Sequence, residues 1–103
     1  MGNPYQGEVT LVVDGEPRTM RLTLGAVASL EAKAGPILEL VERFEGSVAR
    51  ADDVLNVLLA GLVSCGWDGD EVTLRKADIE GGYLGAMTAA AELLVLSFGM
   101  PND

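Results

Sequence analysis

The chain has no histidine, so neither a serine–histidine–aspartate nor a cysteine–histidine relay can be built, and the commonest metal ligand is missing. The groups left with chemistry to offer are one thiol, many carboxylates and some glycine-rich turns. Cys65 stands beside Gly66 and Trp67, with no neighbouring cation or base to lower its pKa. It reads as a small buried apolar residue at a helix end. Asp68-Gly69-Asp70-Glu71 resembles the start of a calcium loop. Counted from Asp68, however, the fifth position is Val72, the sixth is Thr73 where the turn requires glycine, and the twelfth is Ile79 where the bidentate glutamate belongs. A hydrated acidic loop is the expectation. Gly81-Gly82-Tyr83-Leu84-Gly85 has neither the lysine of a phosphate loop nor a strand before it, so it reads as a turn between helices. No carboxylate pair is singled out as acid and base. The acidic carrier domains that attach a prosthetic group at Asp-Ser are excluded too, because that dipeptide does not occur. The expectation is a protein with no catalytic, cofactor or metal site, which works by binding other proteins; a small acidic enzyme or carrier is the disfavoured alternative.

Charge narrows the partners. Sixteen acidic residues against seven basic ones give a net charge of −9. That field repels nucleic acid and anionic membranes and favours a basic protein. No apolar run approaches the ~20 residues of a membrane span. The first six residues, Met1 to Gln6, have neither the basic start nor the apolar centre of a signal peptide, and Gln6 breaks the myristoylation pattern. A single cysteine fits a reducing compartment, and a cytoplasmic location is expected. At 103 residues, 49% of them apolar, the chain suffices for one domain over 1–103, with a core made mainly of Leu, Val, Ala, Ile and Met.

The elements follow from periodicity. Residues 8–13 and 18–24 alternate apolar and polar side chains, the signature of half-buried strands, and Asp14-Gly15-Glu16-Pro17 separates them. A four-residue loop is preferred here. It pairs Val9 with Leu22 and Leu11 with Met20 and keeps Pro17 off the ladder; a two-residue Asp-Gly turn would set Leu11 against Arg18. Beyond residue 24 the period becomes helical. Helices are expected over 24–34 with Thr23 as cap, from Pro36 to about 44, over 51–64, weakly over 71–80 with Thr73 as cap, and over 83–98. In the second, Ile37, Leu38, Leu40, Val41 and Phe44 should face inward and Glu39 should pair with Arg43. In the third, Val54, Leu55, Leu58, Leu59, Leu62 and Val63 form the apolar stripe. The expected class is α+β, an N-terminal antiparallel β-hairpin packed on a bundle of four to five helices.

The last helix is apolar on two sides. At about 100° per residue, Leu84, Met87, Ala91, Leu94, Val95 and Phe98 form one face. Ala86, Ala89, Leu93, Leu96 and Met100 form the opposite one. Such a helix is either central to its own core or shared between core and partner. The second face, with Ala89, Leu93, Leu96 and Met100, is the expected protein-binding stripe, used for self-association or for an amphipathic partner helix.

The order of elements carries a resemblance. A hairpin precedes Leu24-Gly25-Ala26-Val27-Ala28-Ser29-Leu30-Glu31, and a helix begun by proline ends in Val41-Glu42-Arg43-Phe44. Ala51-Asp52-Asp53-Val54 then opens a helix that closes on Ala60-Gly61-Leu62. Asn3-Pro4, Gly7-Glu8-Val9 and Leu93-Leu94 agree as well. Over nearly its whole length the chain resembles a family of small proteins from gene transfer agents and related prophage tail clusters, which has been labelled both tail assembly chaperone and tail tube protein. The resemblance implies a chaperone that binds the tape measure protein in the bacterial cytoplasm during particle assembly and keeps it soluble until tube subunits polymerise around it. Other tail proteins and further copies of the chain are the remaining implied partners. A structural tube component is the alternative.

Overall fold

The computed structural model describes residues 7–98. Strands β1 (Val9–Val13) and β2 (Glu16–Met20) form an antiparallel hairpin, followed by α1 (Leu24–Ala34), α2 (Ile37–Glu45), α3 (Ala51–Ser64), α4 (Glu71–Lys76) and α5 (Gly82–Phe98). This is the expected α+β arrangement.

The register differs from the expected one. Val9 pairs with Met20, Leu11 with Arg18 and Val13 with Glu16, so the loop is the two residues Asp14 and Gly15. Both have positive φ, 53° and 81°, the backbone of a type I′ turn, whose twist matches that of the strands it joins. Pro17 is in the ladder after all, opposite Val12. In a two-residue hairpin that pair is the non-hydrogen-bonded one, so the missing N–H of Pro17 points away from β1 and no ladder bond is lost. Turn geometry therefore outweighs the pairing of apolar side chains. Within the ladder Arg18 and Glu16 are exposed to water and pair with each other at 2.8 Å. On its other edge β1 meets the segment before α5: Val13 bridges Ile79, and the Glu80 amide donates to the Val12 carbonyl at 3.1 Å.

Consequently α4 is shorter than expected. It ends at Lys76, and 77–80 is drawn out against β1. Its cap is Asp70, not Thr73: the Asp70 carboxylate accepts from the Thr73 amide and hydroxyl, both at 2.9 Å. Those bonds, the amide first, hold the Asp70 carboxyl below its ordinary pKa. Thr23 does cap α1, its hydroxyl accepting from the Ala26 amide at 3.1 Å. At α2, Pro36 precedes the first helical residue, and the Glu31 carboxylate accepts from the Ile37 amide at 2.8 Å.

All seven elements contribute to one apolar cluster, with Met20, Leu30, Leu40, Val57, Leu62, Leu93 and Leu94 fully enclosed. Helix α3 runs through its middle. Its buried line is Val54, Val57, Leu58, Gly61 and Leu62, an i, i+3, i+4, i+7, i+8 stripe, with Leu59 beside it. Val63 is half in water and Leu38 largely exposed, so neither points inward as expected. Gly61 is where the layers meet. A Cβ there would lie 2.7 Å from Leu93 Cδ2 on α5 and 3.0 Å from Met20 Cβ on β2. The end of β2 is also hydrogen-bonded at this level: the Arg21 amide donates to the Gly61 carbonyl at 3.3 Å, and the Ser64 hydroxyl donates to the Arg21 carbonyl.

Arg43 does not pair with Glu39 as expected. Its guanidinium grips Asp53 with two bonds of 3.0 Å and donates to the Ala34 carbonyl at 3.1 Å, while the Arg50 amide donates to Asp53 at 2.9 Å. One clasp thus ties the end of α1, α2 and the start of α3. Burial alone would raise the Asp53 pKa. The Arg43 hydrogen bond, the Arg50 amide and the positive charge of both arginines outweigh it, and the carboxyl sits below its ordinary value.

Two predictions follow from the packing and the clasp. Gly61→Ala is expected to destabilise the fold by about 1–3 kcal/mol, despite the better helix propensity of alanine, because Met20 Cβ cannot move without its strand. An unchanged urea midpoint would refute this. Asp53→Asn is expected to lose about 2 kcal/mol at pH 7, less than the ~3–5 kcal/mol of a fully buried pair, because Arg43 is partly in water. A depressed folded-state pKa stabilises above the unfolded value and loses that contribution as pH falls through the folded value. The gap between wild type and variant should therefore close below about pH 4. Urea titrations at pH 7 and pH 3 test it; a gap equal at both would be inconsistent with the clasp.

Candidate protein-binding surfaces

The stripe expected to bind a partner is largely internal. Ala89 is 7% exposed and Leu93 fully buried, both by their own chain. Leu96 is half-buried, and Met100 lies outside the described residues. The core line of α5 is Ala86, Ala89, Ala90, Leu93 and Leu94. The two-sided apolar character is real, but the two faces change roles. Three alanines let α5 close onto its neighbours, while of the face with more large residues Leu94 is enclosed and the remainder lies at or near the surface. On that side Leu84 is 71% exposed, and Met87, Ala91, Val95 and Phe98 are half-buried. Ranking faces by their large side chains missed this, because close helix packing uses small ones.

The thiol is also placed differently. Cys65 is exposed at the end of α3, not buried. Among the described residues no group of three or more Cys, Asp or Glu is placed to hold a metal ion.

Open apolar surface flanks α3 on both sides. One groove, of about 470 Å³, lies between α1 and α3 and is walled by small residues, Gly25, Ala26, Ser29 and Ala60, with Val63 at its rim. Its one charged lining residue is Lys33, held by Glu71 at 3.4 Å. A second groove, of about 420 Å³, lies between α3, α4 and α5. Its floor is Val54, Leu58, Leu74 and Ala86, its walls Leu55, Ile79 and Tyr83, and its rim Asp52, Arg75 and Asp78. A third, between β1 and α5, is bordered by Leu84, Thr88 and Glu92. The first two grooves meet at a chain of ion pairs. Lys33 and Arg75 both hold Glu71, and Arg75 reaches Asp52 at 3.2 Å. Arg75 first, then Lys33, draws the Glu71 carboxyl below its ordinary pKa. These pairs are exposed and individually weak, so they order α4 against α3 more than they stabilise the fold.

The sequence carried a partial signal for these surfaces. Leu55 and Val63 lie off the i, i+3, i+4 line that Val54, Val57, Leu58, Gly61 and Leu62 define, and each lines a groove, though Leu59, off the line too, is buried.

No helix among the described residues is long and apolar enough to cross a membrane. Residues 6–100 match the family described as "Phage tail tube protein, GTA-gp10", and the chain belongs to that family. It is thereby a phage-tail-related protein of the gene transfer agent type, and membership implies interaction with other tail proteins. No curated protein and no solved structure gives a significant match.

A prediction separates the two faces of α5. Leu93→Asp is expected to unfold the monomer or cost it about 4 kcal/mol or more, since it buries an unpaired carboxylate. Leu84→Asp, on the outer face, should change stability by no more than about 0.5 kcal/mol. Thermal melts followed by circular dichroism compare them; a folded Leu93→Asp variant melting like wild type would return that stripe to the surface.

Proposed function

We propose that this chain is a tail assembly chaperone: it binds the tape measure protein, keeps it soluble while tube subunits assemble, and performs no catalysis. The observation that carries this reading over a tube component is the state of the sheet. It has two strands, and the outer edge of β2 presents Pro17, which has no N–H to offer a neighbouring strand. The opposite edge of β1 is engaged at Val12 and Val13 by residues 79 and 80. A subunit that closes rings through strand pairing requires free edges. Helical faces with open apolar grooves suit instead the capture of helical segments of a long partner. Each contact is small, so modest affinity repeated over many copies gives retention and still permits release. The family description favours the second reading, a structural tube component.

Co-expression with the cognate tape measure and tube proteins discriminates. The expected result is a soluble complex of this chain with the tape measure protein, and finished tails that lack it. Purified chain that polymerises into rings or tubes, or its stoichiometric presence in mature tails by mass spectrometry, would establish the tube reading and end this one.

A further inference from the structure

We infer that the groove between α3, α4 and α5 is the docking site for a basic amphipathic helix, with an apolar residue of that helix seated between Leu55, Ile79 and Tyr83 and a lysine or arginine beside it facing Asp52 and Asp78. This rests on the chaperone reading and locates its working surface. The groove combines two features that the other surfaces do not. Its floor is core side chains, Val54, Leu58, Leu74 and Ala86, so an inserted apolar group meets packed hydrocarbon. Its rim is acidic. Asp78 has no cationic partner among the described residues, and Asp52 shares Arg75 with Glu71. Tyr83, 52% exposed at the wall, offers a flat ring with few rotamers to immobilise and a hydroxyl at its edge.

The groove between α1 and α3 is the natural rival, but no carboxylate lines it and its one charged lining residue is Lys33, so it offers a basic ligand no counter-charge. A second copy of this chain is the wrong occupant for the acidic groove. Each copy carries −9, and docking would bring two fields of one sign together. A basic helix gains from the same field at long range and from Asp52 and Asp78 at contact.

The test uses fluorescently labelled synthetic peptides tiling the cognate tape measure protein, titrated with the full chain and read by anisotropy. Peptides of amphipathic, net-positive character should bind, and their affinity should fall as salt rises from about 50 to 500 mM. Tyr83→Ala and Asp78→Lys should each weaken them ~10-fold or more, whereas Ser29→Lys in the α1–α3 groove should leave them unchanged. All three positions are exposed, and circular dichroism melts verify that each variant is folded. Pull-down of the full-length tape measure protein runs in parallel. If the full-length protein binds wild type, Tyr83→Ala and Asp78→Lys equally, or if Ser29→Lys alone abolishes binding, the site is refuted and the chaperone function stands. If neither peptides nor the full-length protein bind wild type, both fall.

Discussion

The close approach at Gly61 is the constraint on which the rest of the structure depends. Helix α3 touches the hairpin through Met20 and α5 through Leu93 at the same level, and there is room for both because residue 61 has no side chain. A larger residue would push either the strand or the helix outward. Since α1, α2 and α4 are in turn arranged around α3, a shift there would propagate to both grooves. The hydrogen bonds from Arg21 and Ser64 fix the height at which the strand meets the helix. The Arg43–Asp53 clasp performs the corresponding task at the other end of α3, where directional bonds replace close packing.

Much of this was legible from residue spacing. The change of period near residue 24, the cap at Thr23, the bounds of the first and third helices and the start of the last were all expressed locally, and local geometry settled them. Errors arose where a tertiary contact overrode a local preference. Helix α4 was drawn too long because its continuation is held in extended form by β1, a contact across more than sixty residues that periodicity cannot register. Apolar pairing favours one hairpin register, but the backbone handedness that Asp14 and Gly15 impose sets the other. Helical spacing pairs Arg43 with Glu39, yet Asp53 on the next helix holds it.

The candidate surfaces were least legible. An apolar residue on a helix does not declare whether it faces its own core or a partner, and α5 is apolar on two sides. What decides between its faces is the distance at which α3 and β1 can approach, which is set by Ala86, Ala89 and Ala90 more than by Leu84 or Phe98. Acidic residues scattered in sequence, at 52 and 78, become a rim only when the fold brings α3 and the segment before α5 together. Family membership supplies what neither argument can, the biological setting in which such a surface operates.

Pro17 on the outer edge of the hairpin bears on how the chain tolerates crowding. Two mechanisms oppose aggregation in a molecule of this kind. Repulsion among copies carrying −9 is one, and it fades with ionic strength, since at physiological salt it extends only about 8 Å. The blocked edge is the other. It resides in covalent geometry, a ring nitrogen with no hydrogen facing outward at the second residue of β2, and dissolved ions do not weaken it. In concentrated salt, where like-charged proteins lose their mutual avoidance, the hairpin still cannot be extended strand by strand past that residue. Protection of that strand edge is thereby independent of surface charge.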